Sequence, residues 1–354
     1  MMINYKNIRP LLYKLEPEKA HTLVEFSMRS LDYLFPGGMS FFAKQYIFND
    51  EILHQEIFNL KFYNPIGLAG GFDKNATMIR PLSALGFGFL EYGTFTPKAQ
   101  NGNEKPRLFR LVEQESIQNA MGFNNKGKDI VAQNVKKNYP FSIPLIANIG
   151  KNKNTSNEDA INDYLTLLKD FKDLCDIFVV NISSPNTKNL RDLQNEEFVH
   201  KLFKEAKNIT NKPMILKIAP DMNIDSAISL CKSAINAQAD AITIANTSID
   251  YSLVNNTRVF GGISGKLITQ KSATFFKEVA KEIYQDTILI ASGGIDSAEL
   301  AYERIKNGAS LIQIYTALIF KGPIVIKNIN EGLAKLLKQD GFHHISEAIG
   351  VNFK

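Results

Sequence analysis

The sequence predicts an α/β protein, a (β/α)8 TIM barrel, and three observations carry that expectation. Eight short apolar runs recur along the chain, helix-length segments with a 3.6-residue apolar period separate them, and each run closes on glycine or polar residues. A doubly wound sheet is the alternative. It uses fewer strands and gathers its polar groups at one switch point, whereas here they follow every run.

The runs are Pro65 to Ala69, Phe87 to Tyr92, Ile143 to Ala147, Ile177 to Val180, Met214 to Ile218, Ala241 to Ala245, Ile288 to Ala291 and Leu311 to Ile314. Between them, Leu165 and Leu168 follow Asp163, and Ile224, Ile228 and Cys231 follow Asp221, which is helix spacing behind an acidic start. A barrel takes ~250 residues, so of the 354 present roughly a hundred need another place.

Many of these precede the first strand. Residues 4 to 15 and 17 to 35 read as two helices: Glu16-Pro17-Glu18 supplies an acidic start with proline in the first turn, and Pro36-Gly37-Gly38 a stop. Ala20, Leu23, Val24, Met28, Leu31, Leu34 and Phe35, then Phe41, Phe42, Tyr46, Ile47 and Phe48, give this segment much apolar surface, with Lys6, Arg9, Lys14 and Lys19 nearby. Packing on the barrel wall is one reading; a surface open to lipid or to a lipid-soluble ligand is the other. The chain thus divides into a helical segment, residues 1 to 48, and a barrel, residues 49 to 354. A further insertion, Thr96 to Gly122, is placed to cover the barrel mouth.

Composition narrows the function. With 44% hydrophobic and 22% charged residues the chain has the balance of an ordered globular protein. Cys175 and Cys231 lie in apolar surroundings without a close partner, and the five histidines are scattered, so neither a disulfide nor a metal site is expected. The net charge of +5 is spread rather than blocked, which disfavours nucleic acid and suits an acidic ligand or an anionic membrane surface. The start, Met1-Met2-Ile3-Asn4, lacks the apolar core of a signal peptide, and no window reaches the ~18 apolar residues of a spanning helix. The protein is expected to stay inside the cell.

In a barrel the strand ends converge on one bowl. The first supplies Ala69-Gly70-Gly71-Phe72-Asp73-Lys74, in which the glycines admit a flat ligand closely and Lys74 adds a charge. The second supplies Thr94, the insertion Asn119-Ala120-Met121-Gly122-Phe123-Asn124, and the third Asn148. The fourth ends in Asn181-Ile182-Ser183-Ser184-Pro185-Asn186-Thr187, which sets amides, hydroxyls and a proline directly after an apolar run. In the fifth, Lys217 interrupts an apolar strand, a costly position for a charge unless it is paired or faces a ligand. The sixth ends Ala245-Asn246-Thr247. Gly261-Gly262-Ile263-Ser264-Gly265-Lys266, Ser292-Gly293-Gly294 and Tyr315-Thr316 then offer main-chain donors where this fold cradles phosphate. Amides, two lysines and a phosphate cradle suit a flavin mononucleotide (FMN) with a small anionic substrate. No acid pair points to glycoside cleavage, and Ser184 has no histidine and aspartate to form a triad.

These segments resemble the dihydroorotate dehydrogenase family, in particular its membrane-associated, quinone-using class 2. The likeness rests on Leu68 to Asn75, Glu91 to Pro97, Pro106 to Leu111, Asn119 to Asn125, Asn148 to Lys153, Asn181 to Thr187, Lys217 to Asp221, Gly261 to Lys266 and Gln313 to Thr316, in that order over nearly the whole chain. It implies an FMN-binding barrel that oxidises (S)-dihydroorotate to orotate in pyrimidine biosynthesis. FMN would lie against Ala69, Gly70, Gly71, Lys74, Thr94, Asn148, Asn181, Lys217 and Ala245, its phosphate held by Gly265, Gly294, Tyr315 and Thr316. Lys74, Asn119, Ala120, Met121, Gly122, Phe123, Asn181, Asn186, Asn246 and Thr247 would hold the substrate, with Lys74 on its carboxylate. Ser184 would be the base at C5 while hydride passes from C6 to flavin N5. In class 1 enzymes a cysteine takes that position.

The resemblance also implies that the N-terminal helices form a tunnel for a membrane quinone, ubiquinone or menaquinone, with His21, Arg110 and Tyr315 near the flavin. A peripheral monomer on the cytoplasmic side of the cell membrane is expected. Three residues depart from the family pattern. Gly70 stands for the second alanine of Ala-Ala-Gly, Ala120 for an arginine, and Ala245 for a threonine. Rival readings are a class 1 enzyme using fumarate or a nicotinamide, which Ser184 and residues 1 to 48 oppose, and a flavin-binding barrel without catalysis.

Overall fold

The computed structural model describes residues 5–35, 37–254 and 258–354. Residues 1–4, including Asn4 at the expected start of the first helix, and the expected stop at Pro36 lie outside them.

Eight parallel strands close into a barrel: β1 (Ile66–Leu68), β2 (Phe89–Phe95), β3 (Leu145–Ile149), β4 (Ile177–Asn181), β5 (Met214–Ile218), β6 (Ala241–Ile244), β7 (Ile288–Ser292) and β8 (Leu311–Ile314). They pair in chain order, and β8 returns to β1 with Ile312 opposite Ile66. Each coincides with one of the eight apolar runs to within three residues at either end.

Side chains two apart on a strand share a face, and here that face changes character along the barrel axis. Toward the strand starts, Phe89, Ile146, Ile177, Val179, Ile215, Ala241, Ile290 and Leu311 form one apolar cluster. A hairpin of Gln55–Ile57 and Leu60–Phe62 plugs it, with the Phe62 ring edge-on to Phe89. Two residues further along the same strands stand Glu91, Asn148, Asn181, Lys217 and Gln313, all buried. The register sets Asn181 opposite Lys217 and Gly93 opposite Asn148. The barrel therefore has a dry floor and a polar top.

The insertion after β2 forms two antiparallel strands, Leu108–Leu111 and Ser116–Asn119, and the second pairs with Gly262–Gly265. The glycine-rich segment after β6 is thus a strand of this mouth sheet. The sequence suggested a turn because the partner lies more than a hundred residues away.

Among the described residues, three α-helices precede the barrel: α1 (Tyr5–Tyr13), α2 (Pro17–Leu34) and α3 (Gly38–Tyr46). The Glu16 side chain caps α2, accepting from the Glu18 and Lys19 amides at 3.2 and 3.1 Å. The sequence indicated two helices and a stop at residues 36–38; α3 instead begins at Gly38 and buries Tyr46. No residue of α1 or α2 is fully buried. Phe26, Tyr33, Leu34, Phe35 and Phe41 are each more than half exposed, a larger apolar face than a water-facing surface usually carries. Among the described residues, no helix is long and apolar enough to cross a membrane.

Candidate active site

One cavity of about 640 Å³ opens from the polar top of the barrel and continues between the N-terminal helices. Ser184, Asn186, Asn246 and Lys217 line one end; Val24, Met28, Met39 and Phe42 line the other. Every candidate residue from the sequence lines it except Ala120 and Asn148. Asn148 instead stands behind the surface, where it bonds the residues that do face inward. The Ala120 carbonyl accepts from Asn103 Nδ2 at 3.0 Å, so that position contributes main chain.

The polar top is one hydrogen-bonded set. Asn181 Nδ2 donates to Thr94 Oγ1 at 2.8 Å, and Thr94 in turn donates to Asn148 Oδ1. Lys217 Nζ lies 3.0 Å from Glu91 Oε1, with side-chain exposures of 5% and 0%. Glu91 also accepts from Asn148 Nδ2 and Gln313 Nε2. Glu91 was not singled out in the sequence. The argument applied to Lys217 would have found it, since Leu90-Glu91-Tyr92 also sets a charge inside an apolar strand.

The loop after β4 is held from three sides. Asn246 Nδ2 donates to Ser183 Oγ at 2.9 Å, Asn186 Nδ2 to Asn119 Oδ1 at 2.9 Å, and Asn103 Nδ2 to the Asn186 carbonyl at 2.9 Å. Ser184 is 6% exposed, and its Oγ accepts from the Asn186 amide at 3.2 Å. Lys74 Nζ donates to the Gly71 carbonyl at 2.7 Å. Loss of solvation lowers its pKa to about 8, with neighbouring charges as smaller influences.

At the far rim, Gly265 and Gly294 have positive φ, and neither has room for a side chain. A Cβ would come 2.6 Å from the Glu115 carbonyl at the first and 2.4 Å from Thr269 Cα at the second. Thr316 Oγ1 is 2.9 Å from Ser264 Oγ, joining the start of helix Thr316–Lys321 to the mouth sheet. A bare main chain beside amides and a lysine suits a flat ring carrying a phosphate.

The family model for dihydroorotate dehydrogenase matches residues 52–337. The chain belongs to this family. The "dihydroorotate dehydrogenase (quinone)" of a Nitratiruptor species is 53% identical over 352 residues, covering 99% of this chain and all of that one. That of Sulfurimonas denitrificans is 54% identical over 353 residues, with both chains fully covered. Among solved structures, DHODH from Eimeria tenella in complex with ferulenol is 32% identical with a TM-score of 0.82, covering 97% of this chain and 99% of that one. The full-length matches include the N-terminal helices, which the family model leaves out.

Those helices meet the barrel at a stack of rings. His21 is edge-on to Phe72 at 5.0 Å between centroids, and Phe72 edge-on to Tyr315 at 5.6 Å. Burial first, and then the Lys74 charge, lower the His21 pKa to about 4, so its ring is neutral at physiological pH. Arg110 lines the cavity, but its guanidinium serves the α1–α2 connection. It donates to the Tyr13 carbonyl at 3.1 Å and the Leu15 carbonyl at 2.6 Å, and sits 4.8 Å from the Tyr13 ring centre. Tyr5 Oη donates to the Ile319 carbonyl at 2.6 Å, which pins α1 to the helix after β8.

Proposed function

We propose that this protein oxidises (S)-dihydroorotate to orotate for pyrimidine biosynthesis and passes the electrons through FMN to a membrane quinone. The observation that carries this reading is the single cavity joining an amide-rich bowl to an apolar bore between surface helices. One centre can then meet a water-soluble anion from one side and a lipid-soluble acceptor from the other.

Bound FMN would supply the acceptor for the hydride that substrate C6 gives up. Lys217, Asn181 and Thr94 would provide the polar wall for its ring, with Asn148 holding Thr94 and Asn181 from behind, and Gly265, Gly294, Tyr315 and Thr316 the rim for its phosphate. Lys74 holds the substrate carboxylate, while Asn119, Asn186, Asn246 and Thr247 pair with the pyrimidine amides. Ser184 takes the C5 proton. A serine hydroxyl is a weak base in water, but here it is buried and oriented by the Asn186 amide, which lessens competition from solvent. Neutral His21 can hydrogen-bond a quinone oxygen without bringing a charge into the apolar bore. The exposed apolar residues of α2 and α3 dock a monomer on the cytoplasmic face of the membrane.

The test is turnover by the purified protein. A yellow protein that bleaches with dihydroorotate and regains colour with a ubiquinone analogue is expected; transfer to fumarate alone overturns the acceptor. Ser184→Ala should slow flavin reduction by about 10²–10⁴-fold, and Ser184→Cys less. Equal rates for wild type and the alanine variant would remove Ser184 from its role.

A further inference from the structure

Glu91 is an anion with no task in the chemistry above, in a place where a charge is costly. It is fully buried on β2 and pairs with Lys217 on β5. Lys217 lines the cavity, whereas Glu91 stands behind it and is held by Asn148 and Gln313. The cation thus faces the cavity, where the flavin ring would lie, and its counter-charge stands behind it. Gly70 makes the arrangement possible: a Cβ there would come 2.3 Å from Glu91 Oε1 and 2.7 Å from Asn148 Nδ2.

A cation beside a ring that gains negative charge on reduction stabilises the reduced form, and an adjacent anion cancels part of that field. Screening by water is weak at this depth, so the cancellation reaches the ring. We propose that Glu91 is a positioning and tuning residue that restrains the pull of Lys217 on the flavin and keeps the reduced cofactor a strong enough donor for the quinone. The proposal rests on the flavin reading above. Gly70, where the family usually carries alanine, leaves the carboxylate the space that a Cβ would take.

The experiment uses the flavin-loaded protein and compares wild type with Glu91→Gln and Gly70→Ala. Sulfite adds to N5 of oxidised flavin and leaves negative charge on the ring, so its affinity reads the local positive field. The glutamine variant should bind sulfite at least tenfold more tightly and show a more positive midpoint potential. Gly70→Ala, which displaces the carboxylate without removing either charge, should shift both in the same direction by less, and it provides the answer if Glu91→Gln does not fold. A purely structural role for Glu91 would lower thermal stability or flavin content and leave both readings unchanged in the flavin-loaded molecules; that result overturns the proposal. A colourless wild type overturns the flavin reading itself.

Discussion

The Asn186 side chain donates to Asn119 Oδ1 across 2.9 Å, and this bond joins the loop after β4 to the end of a mouth-sheet strand. Asn103 reinforces the junction, donating to the carbonyls of both Ala120 and Asn186. The amide-rich end of the cavity, where the substrate is proposed to bind, is therefore assembled from two segments whose amides orient each other. Asn186 Oδ1 itself is buried with no hydrogen-bond partner among the described residues, which leaves it ready to accept from a ligand N–H.

Asn186→Ala removes that acceptor and leaves Asn119 without its donor. Losing such a contact costs ~1–3 kcal/mol, so the KM for dihydroorotate should rise about tenfold to a hundredfold. The KM for quinone should stay within twofold. Steady-state kinetics with each substrate varied in turn would check this, and an unchanged dihydroorotate KM would place the pyrimidine elsewhere.

Lys74 gives a pH dependence with a definite sign. Its pKa is lowered to about 8, so the free protein carries the cation below that pH and loses it above. If the cation holds the substrate carboxylate, kcat/KM for dihydroorotate should be level below about 8 and fall as pH rises through it. Lys74→Met should bind orotate weakly at every pH, without that inflection. A flat wild-type profile up to pH 10 would contradict the assignment.

Arg110 fastens the turn between α1 and α2, so its effect should fall on the proposed quinone end. Arg110→Ala should raise the quinone KM by about tenfold, in line with the loss of two charge-assisted bonds of ~1.5–3 kcal/mol partly replaced by water. The rate of flavin reduction by dihydroorotate in stopped flow should be unchanged. Deleting residues 1 to 35 should go further and abolish quinone reduction while flavin reduction survives. Loss of both half-reactions in Arg110→Ala would show that the helices support the barrel chemistry as well.

The barrel was legible in the sequence because its strands are local objects. A buried strand is a short apolar run whatever surrounds it, and the eight runs each yielded one strand. Lys217 was legible for a related reason, since a charge inside such a run is anomalous on its own terms. Glu91 is anomalous by the same local rule, but its pairing with Lys217 across 126 positions is decided only by barrel closure.

The mouth sheet and α3 were hidden for other reasons. Gly262–Gly265 has the composition of a turn and becomes a strand only because Ser116–Asn119 offers its edge. Gly37 and Gly38 read as a stop, yet α3 begins at Gly38, and burial of Tyr46 at its other end offsets that glycine's low helix propensity.

By itself the sequence determined the number of barrel strands, the polar residues at their ends and the apolar excess of the N-terminal segment. These follow from side-chain type and spacing, which act over a few residues. Tertiary structure alone decided that the amide bowl and the apolar bore are one cavity, that Arg110 spends its charge on a turn, and that Glu91 stands behind Lys217. Those outcomes depend on how a closed ring of strands aligns groups far apart in the chain, and no local pattern encodes that alignment.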